Sequence, residues 1–529
     1  MNPDVVVSPE LARSMTELSR EMGRQLGLLM DRRGNVEAVI VGDAKGIEIA
    51  EMGRYRVGRI RFRGLRVVHT HLDASPLNQD DLTDLALLRF DLMVAIQALD
   101  NGLPGTASVA HLRPGAFEGE PWVVEGPQSV HQLTSMDFQQ FIESLEQEFA
   151  AEARTRAVDH GTRRAVLIGV SADSVRQAHD SMEELAALAD SAGIEVLDRV
   201  MQRRQRVDAR TLVGPGKLKE IFIRCLQLDA DMLIFDRELS GSQVRAIAEM
   251  TDLEVIDRTQ MILDIFARRA HSREGKIQVE LAQLKYSLPR LVLKDDFLSR
   301  ITGGIGLKGP GETKMEVLRR RVRDRITALE KEIKSLAKGR DERRKSRQRA
   351  GLPVVSIVGY TNAGKSTLFN KLTDSNVFVE NRLFATLDPT TRRVRFPEER
   401  EVVMADTVGF MQDLPEDLVA AFRATLEELR EATLLLHVVD ISNPDRENQM
   451  AAVNEILSDL AIDAVPQLVV FNKCDLVSPE EVEEVRERFG GIMISALQHE
   501  TLPGLIEVIT RTLWEGSVGA RLPAASTAE

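Results

Sequence analysis

The stretch Gly359-Tyr360-Thr361-Asn362-Ala363-Gly364-Lys365-Ser366-Thr367 fits the pattern G-x-x-x-x-G-K-[ST]. Its glycines let backbone N–H groups turn inward around a β-phosphate, and a following helix N-terminus favours the anion. Lys365 is expected to reach the β- and γ-phosphate oxygens, and Ser366 to bind Mg²⁺ through its hydroxyl. Asn472-Lys473-Cys474-Asp475 brings a carboxylate, Asp475, that can accept N1–H and N2–H₂ of guanine together, which adenine does not offer. Asn472 and Lys473 are expected to brace the base and the phosphate loop, and Ser495-Ala496-Leu497 to flank the base. Phe384-Ala385-Thr386-Leu387-Asp388 lies where a threonine should bind Mg²⁺ and the γ-phosphate. Thr386 is the choice, with Thr390 and Thr391 as competitors. In Asp406-Thr407-Val408-Gly409, Asp406 should hold Mg²⁺ through water and the Gly409 N–H should sense the γ-phosphate. The expected chemistry is hydrolysis of GTP to GDP and phosphate, with Lys365, Thr386 and Gly409 as its catalytic groups.

One part is missing from that set. Many Ras-type GTPases follow the sensor glycine with a glutamine that orients the attacking water. Here Phe410 follows, and it neither donates nor accepts a hydrogen bond. Slow turnover by the protein alone is therefore predicted. Two substitutes are open. Asn362 resembles the asparagine by which some GTPases hold K⁺ beside the phosphates, although it could equally serve to shape the loop. A large partner could instead order the segment around Thr386.

These residues need a scaffold that gathers them. The apolar runs PVVSIVG (353–359), EVVMAD, TLLLHVVD, QLVVFN and GIMISA alternate with helix-like text. That pattern reads as a doubly wound sheet, whose ligand sits at the carboxyl ends of its strands. Each nucleotide motif falls at such an end. Upstream, RAVLIGV, MLIFD and LEVID alternate with helical text and predict a second parallel sheet.

Between the two, Met315, Leu318, Val322, Ile326, Leu329, Ile333 and Leu336 recur at steps of three and four. They form an a/d stripe on a long helix. Its other faces are dense in Lys and Arg, among them Arg319, Arg320, Arg343, Arg344 and Arg347. Such a face is either simply solvated or an RNA-binding arm. Concentrating cations here in a chain of net charge −13 favours the arm.

At 529 residues the chain has length for about three domains. Only two cysteines occur, Cys225 and Cys474, without metal-ligand spacing, so a reducing cytoplasm is expected. The opening MNPDVVVSPELARSM lacks a basic stretch followed by an apolar core, so no signal peptide is expected. No apolar run reaches the length of a membrane span. A cytoplasmic monomer is expected, with peripheral membrane contact left open.

GPGK (214–217), IFDRELS (234–240), VIDRTQMILDIFARRAHSREGKIQVELAQLKYSLPRL (255–291) and GGIGLKGPGETKMEVLRRRVRDRI (303–326) closely resemble the HflX family. So do GYTNAGKSTLFN and FATLDPTTRRV. The resemblance spans roughly 160 to 515. It implies a ribosome-associated GTPase of the Obg–HflX group that binds the large subunit and its rRNA. Such proteins work near the peptidyl-transferase centre through their N-terminal domain and split stalled or hibernating ribosomes, notably under heat stress. Some members also turn over ATP. Gly303-Gly304-Ile305-Gly306 and Gly309-Pro310-Gly311 would then be a hinge between domains or an RNA contact.

The expected fold class is α/β throughout. An N-terminal α/β extension (1–155) leads into a parallel α/β HflX domain (160–300). A Gly-rich loop and coiled-coil-like basic helical connector (301–350) then joins a doubly wound P-loop GTPase domain (351–516), with a disordered tail (517–529). A role in large-subunit assembly, without splitting, is the alternative.

The extension lies outside that pattern. His69-Thr70-His71, followed by SPLNQDDL, faintly resembles the metal motif of JAB/MPN-type metalloproteases, with Glu37 as a possible partner. Leu72 replaces the expected proline, Asn78 stands near where a serine belongs, and the aspartate comes one residue early. A metal-free relic or an unrelated α/β module is the favoured reading, and a metallopeptidase with a regulatory GTPase the remote one.

Overall fold

In this computed structural model the described residues are 2–49, 62–114, 119–159, 162–172, 175–290, 314–349, 352–373, 383–384, 390–396, 400–407, 409–411, 427–462 and 464–514. They form two compact units, Met1–Glu183 with Gly193–Asp257, and Glu184–Ala192 with Arg258–Glu529.

The first unit holds two sheets. The N-terminal one is built from β1 (Leu26–Asp31), β2 (Val36–Val41), β3 (Leu65–His71), β4 (Leu92–Ala98), β5 (Pro104–Leu112) and β6 (Trp122–Ser129), in the order β2-β1-β3-β4-β5-β6. β3 and β4 are parallel and joined through the helix Gln79–Leu88, whereas the other neighbours are antiparallel. Asn78 starts that helix by a reciprocal cap. Its side chain accepts from the Asp81 N–H, and the Asp81 carboxylate accepts from the Asn78 N–H. Val67, Val68, Met93 and Val94 are buried, as the central strands of a covered sheet must be.

The second sheet of this unit is wholly parallel. Its strands are β7 (Arg163–Ser171), β8 (Ile194–Arg203), β9 (Met232–Phe235) and β10 (Glu254–Asp257), in the order β10-β9-β7-β8. The predicted strands are all present. β8 is additional: it is an edge strand reading IEVLDRVMQR, whose exposed charges hide its strand character.

The second unit carries β11 (Val354–Gly359), β12 (Thr390–Arg395), β13 (Glu401–Asp406), β14 (Leu434–Asp440), β15 (Gln467–Asn472) and β16 (Ile492–Met493). Their order is β12-β13-β11-β14-β15-β16, parallel except for the β12–β13 pair. The doubly wound sheet is thus present. The chain leaves β11 to one side for β13 and to the other for β14, which opens a crevice at the carboxyl end of β11.

The predicted stripe also finds its partner in this unit. On the helix Lys314–Arg349, Leu318, Val322, Ile326, Leu329, Ile333 and Leu336 pack against Ile277, Leu281, Leu284 and Leu288, which follow from the helix Arg273–Ser287. Arg273 pairs with Glu332 at 2.6 Å and Arg325 with Glu280 at 2.7 Å beside that seam. Both pairs are partly exposed, so the apolar seam carries most of the stability. The side chains of Met315 and of residues 337–349 lie outside the described residues, as do Gly303–Gly306, Gly309–Gly311 and the tail. Among the described residues no helix is long and apolar enough to cross a membrane.

Candidate nucleotide-binding site

The phosphate loop leaves β11 and enters the helix Lys365–Thr373. Gly364 adopts φ +90°, and a Cβ there would stand 2.2 Å from the Asn472 amide nitrogen, so both backbone and space demand glycine. Asn362 has φ +63° and an exposed side chain at the loop apex, a conformation asparagine tolerates well. Lys365 is buried, and its ammonium donates to the Tyr360 carbonyl at 2.6 Å. Burial pushes Lys365 down to about 8, against the opposing pull of Asp406.

Ser366 donates to an Asp406 carboxylate oxygen at 2.7 Å. A hydroxyl and a carboxylate converging at the end of two adjacent strands are hard oxygen donors that suit Mg²⁺. The buried Thr361 hydroxyl has no hydrogen-bond partner among the described residues, which fits a loop shaped for a phosphate. Gly409 closes the same corner. A Cβ on it would meet Thr361 Cγ2 at 2.8 Å and Lys365 Nζ at 3.0 Å. Thr390 and Thr391 lie in β12, where Thr390 faces Asp406 and Thr391 faces Ala405 across the ladder. Ala385, Thr386, Leu387, Asp388 and Val408 lie outside the described residues.

Asn472 organises the loops beside the phosphate loop. Its amide donates to the Ala363 carbonyl at 2.9 Å and its oxygen accepts from the Ala496 N–H at 2.8 Å. One buried side chain therefore ties the phosphate loop to the Ser495-Ala496-Leu497 loop. Lys473 sits at φ +66° and pairs with Asp440 at 2.6 Å. Asp475 is exposed on the turn Cys474–Leu476, and Leu476 and Leu497 are exposed apolar side chains in that turn and in the 495–497 loop.

Phe410 is only 2% exposed. Its N–H donates to the Gly359 carbonyl at 3.1 Å, and its carbonyl accepts from the Thr361 N–H at 2.7 Å. The residue after Gly409 is stitched by its backbone to the phosphate loop, with its ring in the interior. The side chain is a packing element, and its type explains why no polar group stands there.

Sequence reasoning missed several neighbours of the site. The Tyr360 hydroxyl donates to Glu184, which also pairs with the buried Arg258. Beside it, Phe384 adopts φ +57° and packs edge-to-face on Phe266 with centroids 4.6 Å apart, while the Leu383 N–H donates to the Ser191 hydroxyl at 3.0 Å. Pairings this distant in sequence have no local signature. His437, buried in β14, is pushed down to about 4 by its burial and then by Lys365, and its Nδ1 lies 2.6 Å from the Gln467 amide nitrogen. A histidine in the apolar run TLLLHVVD was the available signal.

In the N-terminal sheet, His69 and His71 lie near the carboxyl end of β3 and meet Asp81, the early aspartate. Asn78 is the helix cap. Glu37 is exposed on β2, beyond β1 from β3, and stands apart from that cluster.

Family models described as GTP-binding GTPase N-terminal, GTP-binding GTPase Middle Region and 50S ribosome-binding GTPase match residues 179–267, 269–347 and 354–473. GTPase HflX of Caldanaerobacter subterraneus subsp. tengcongensis is 46% identical over 352 residues, 66% of this chain and 81% of that protein. GTPase HflX of Escherichia coli K12 is 42% identical over 353 residues, 66% of this chain and 83% of that protein. A crystal structure of SsGBP in complex with GDP is 27% identical and covers 68% of this chain and all of that one, with a TM-score of 0.40. With a P-loop sheet and relatives aligned over most of their length, the chain belongs to the HflX family of GTPases.

Proposed function

We propose that this GTPase binds the large ribosomal subunit through the cationic helix Lys314–Arg349 and uses GTP to split or rescue stalled ribosomes. The helix carries the reading. It holds fifteen Lys and Arg against six Asp and Glu, in a chain of net −13. Arg320, Arg321, Arg323 and Arg325 are exposed, while the apolar side of the helix is spent on its partner helix. A surface of that charge suits a phosphate backbone. The model matching residues 354–473 is described as a 50S ribosome-binding GTPase, which points the same way.

In this reading the backbone of Gly359 to Ser366 holds the phosphates, and Lys365 compensates the β/γ charge. Ser366 and Thr386 would hold Mg²⁺, with Asp406 acting through water. The ion, when bound, neutralises charge on the β- and γ-phosphate oxygens. Gly409 offers its N–H to the γ-phosphate, and Asp475 selects guanine while Asn472 and Lys473 hold its loop.

With Phe410 committed to the interior, no side chain at that position orients water, so hydrolysis is slow until the subunit orders the Thr386 segment. Asn362, exposed at the loop apex, is placed to help a K⁺ ion bind beside the phosphates. Phosphate release should rise at least about tenfold with large subunits, within the range of an added catalytic part. A smaller preference for K⁺ over Na⁺ should vanish in Asn362→Ala. Equal rates in all conditions would show a complete site in the free protein.

Sedimentation of intact ribosomes after incubation with the protein and GTP tests the function. Conversion to separate subunits supports splitting. Intact ribosomes, with the protein riding only on free large subunits, would instead favour a role in assembly.

A further inference from the structure

The geometry points to a binding site for one divalent transition-metal ion of the zinc class, formed by His69, His71 and Asp81 in the N-terminal sheet. The nucleotide chemistry uses none of these residues. His69 and His71 are two apart on β3 and so face the same side, and Asp81 lies in the first turn of the helix that follows. The capping exchange with Asn78 fixes the carboxylate, since Asp81 Oδ2 accepts the Asn78 N–H at 2.9 Å. A strand end, a short loop and a capped helix start thus bring the three donors together without any long-range adjustment.

The donor spacing is that of a coordination shell. His69 Nε2 and His71 Nε2 are 2.9 Å apart. His69 Nε2 lies 3.4 Å from Asp81 Oδ1, and His71 Nε2 lies 3.6 Å from Asp81 Oδ2. A tetrahedral ion with bonds of about 2.0–2.1 Å requires donors about 3.3–3.4 Å apart. These shortest separations bracket that value, with each imidazole facing its own carboxylate oxygen, and one ligand atom from each residue lies within 4.8 Å of the others.

Tautomer and charge agree with it. His71 Nδ1 lies 3.0 Å from the Ser75 carbonyl, which can only accept, so Nδ1 carries the proton and Nε2 presents a lone pair to the cluster. An imidazole held by a carbonyl behind it is the usual arrangement of a metal-binding histidine. Asp81 is 5% exposed, and among the described residues its only ion-pair partners are the two imidazoles. A buried carboxylate is costly without a cation beside it, and an ion held by all three donors would supply that charge.

Two imidazole nitrogens and one carboxylate select zinc, cobalt or nickel over the all-oxygen preference of magnesium and calcium. Glu37 does not complete a hydrolytic site. Ile40 aligns with Gly27, and Gly27 with His69, so Glu37 lies three residues along β2 from that register. At about 3.3 Å per residue it is roughly 10 Å along the sheet and one strand further out. The ion therefore ties the end of β3 to the helix Gln79–Leu88 and stabilises the fold around it.

The test uses the full chain, stripped with a chelator and titrated with Zn²⁺ or Co²⁺ alone. One tight equivalent is expected, with the visible absorption of tetrahedral Co²⁺, and Zn²⁺ should raise the thermal midpoint. Asp81→Asn keeps an acceptor for the helix cap but loses the anionic ligand, and His71→Asn loses an imidazole. Both should bind at least tenfold more weakly and lose the thermal response, while the metal-free variants keep the far-UV circular dichroism and thermal midpoint of the metal-free wild type, which certifies folding. Zinc bound equally by the wild type and both variants would overturn the proposal. So would the absence of a tight equivalent, or an octahedral Co²⁺ spectrum, in the wild type itself, a result that needs no variant to fold.

Discussion

Replacing Asn472 by alanine should damage the protein before any nucleotide arrives. The Asn472 side chain is 2% exposed and makes two buried hydrogen bonds, to the Ala363 carbonyl at 2.9 Å and from the Ala496 N–H at 2.8 Å. Alanine removes both partners and leaves a carbonyl and an amide N–H stranded in the interior. Each stranded group costs about 1–3 kcal/mol, so the free protein should lose about 2–6 kcal/mol, less whatever water entering the gap restores. Gly364 adds to the effect, since its Cα now faces a void where it was fitted to the amide. The exposed Asp475 offers the contrast, because a surface change there is worth within about 0.5 kcal/mol. The assay is chemical denaturation of the nucleotide-free protein, followed by binding of a fluorescent GDP analogue. Asn472→Ala should unfold earlier and bind at least tenfold more weakly, whereas Asp475→Asn should unfold with the wild type. An Asn472→Ala protein with wild-type unfolding would refute the bracing argument, whatever its affinity.

Asp475→Asn should shift base preference from guanine toward xanthine, because the exchange removes the acceptor for N1–H, and competition between GTP and XTP reads it directly. Reversing Arg319, Arg320, Arg343, Arg344 and Arg347 to Glu should weaken large-subunit binding and flatten its dependence on salt, by about one unit of log–log slope per lost phosphate contact. An unchanged slope would return the helix to a merely solvated face. Nucleotide affinity should fall as pH rises above about 8, because burial lowers Lys365 to about 8 in the free protein and the incoming phosphates favour its charged form. The sign follows from proton uptake: below about 8 the ammonium is already charged, and above it each bound nucleotide must take up a proton. Calorimetry in buffers of different ionisation enthalpy should show that uptake, and flat affinity across the range would count against it.

The parallel sheets and the phosphate loop were legible because their signals are local. A strand ending in G-x-x-x-x-G-K-S, or an apolar run ending in N-K-x-D, fixes both the element and its site within a dozen residues. The stripe from Leu318 to Leu336 was equally plain, and its partner Ile277, Leu281 and Leu284 repeats at the same interval. β8 was hidden by its edge position, because charged residues on an exposed strand dilute the alternation that marks it. The Tyr360–Glu184–Arg258 contacts join residues far apart in sequence, and nothing in either segment announces the other. His69 and His71 were visible as a pair, but the early aspartate argued against them. Spacing along the chain is a poor guide where a loop, here residues 72–78, can absorb one residue without moving its ends.

The contacts around Glu184 bear on where this protein can be cut. The sequence invites a boundary at residue 351, just before β11, as though the nucleotide-binding part were a free-standing module. Yet Tyr360 sits inside the phosphate loop and gives its hydroxyl to Glu184, while Phe384 rests on Phe266 and the Leu383 N–H on Ser191. A fragment beginning at 351 would strip two aromatic rings of their cover and leave a loop residue without its acceptor. Such a fragment should be more prone to aggregate than its sheet suggests, and its nucleotide affinity would describe a damaged loop. For kinetic work the smallest faithful piece begins before Glu184.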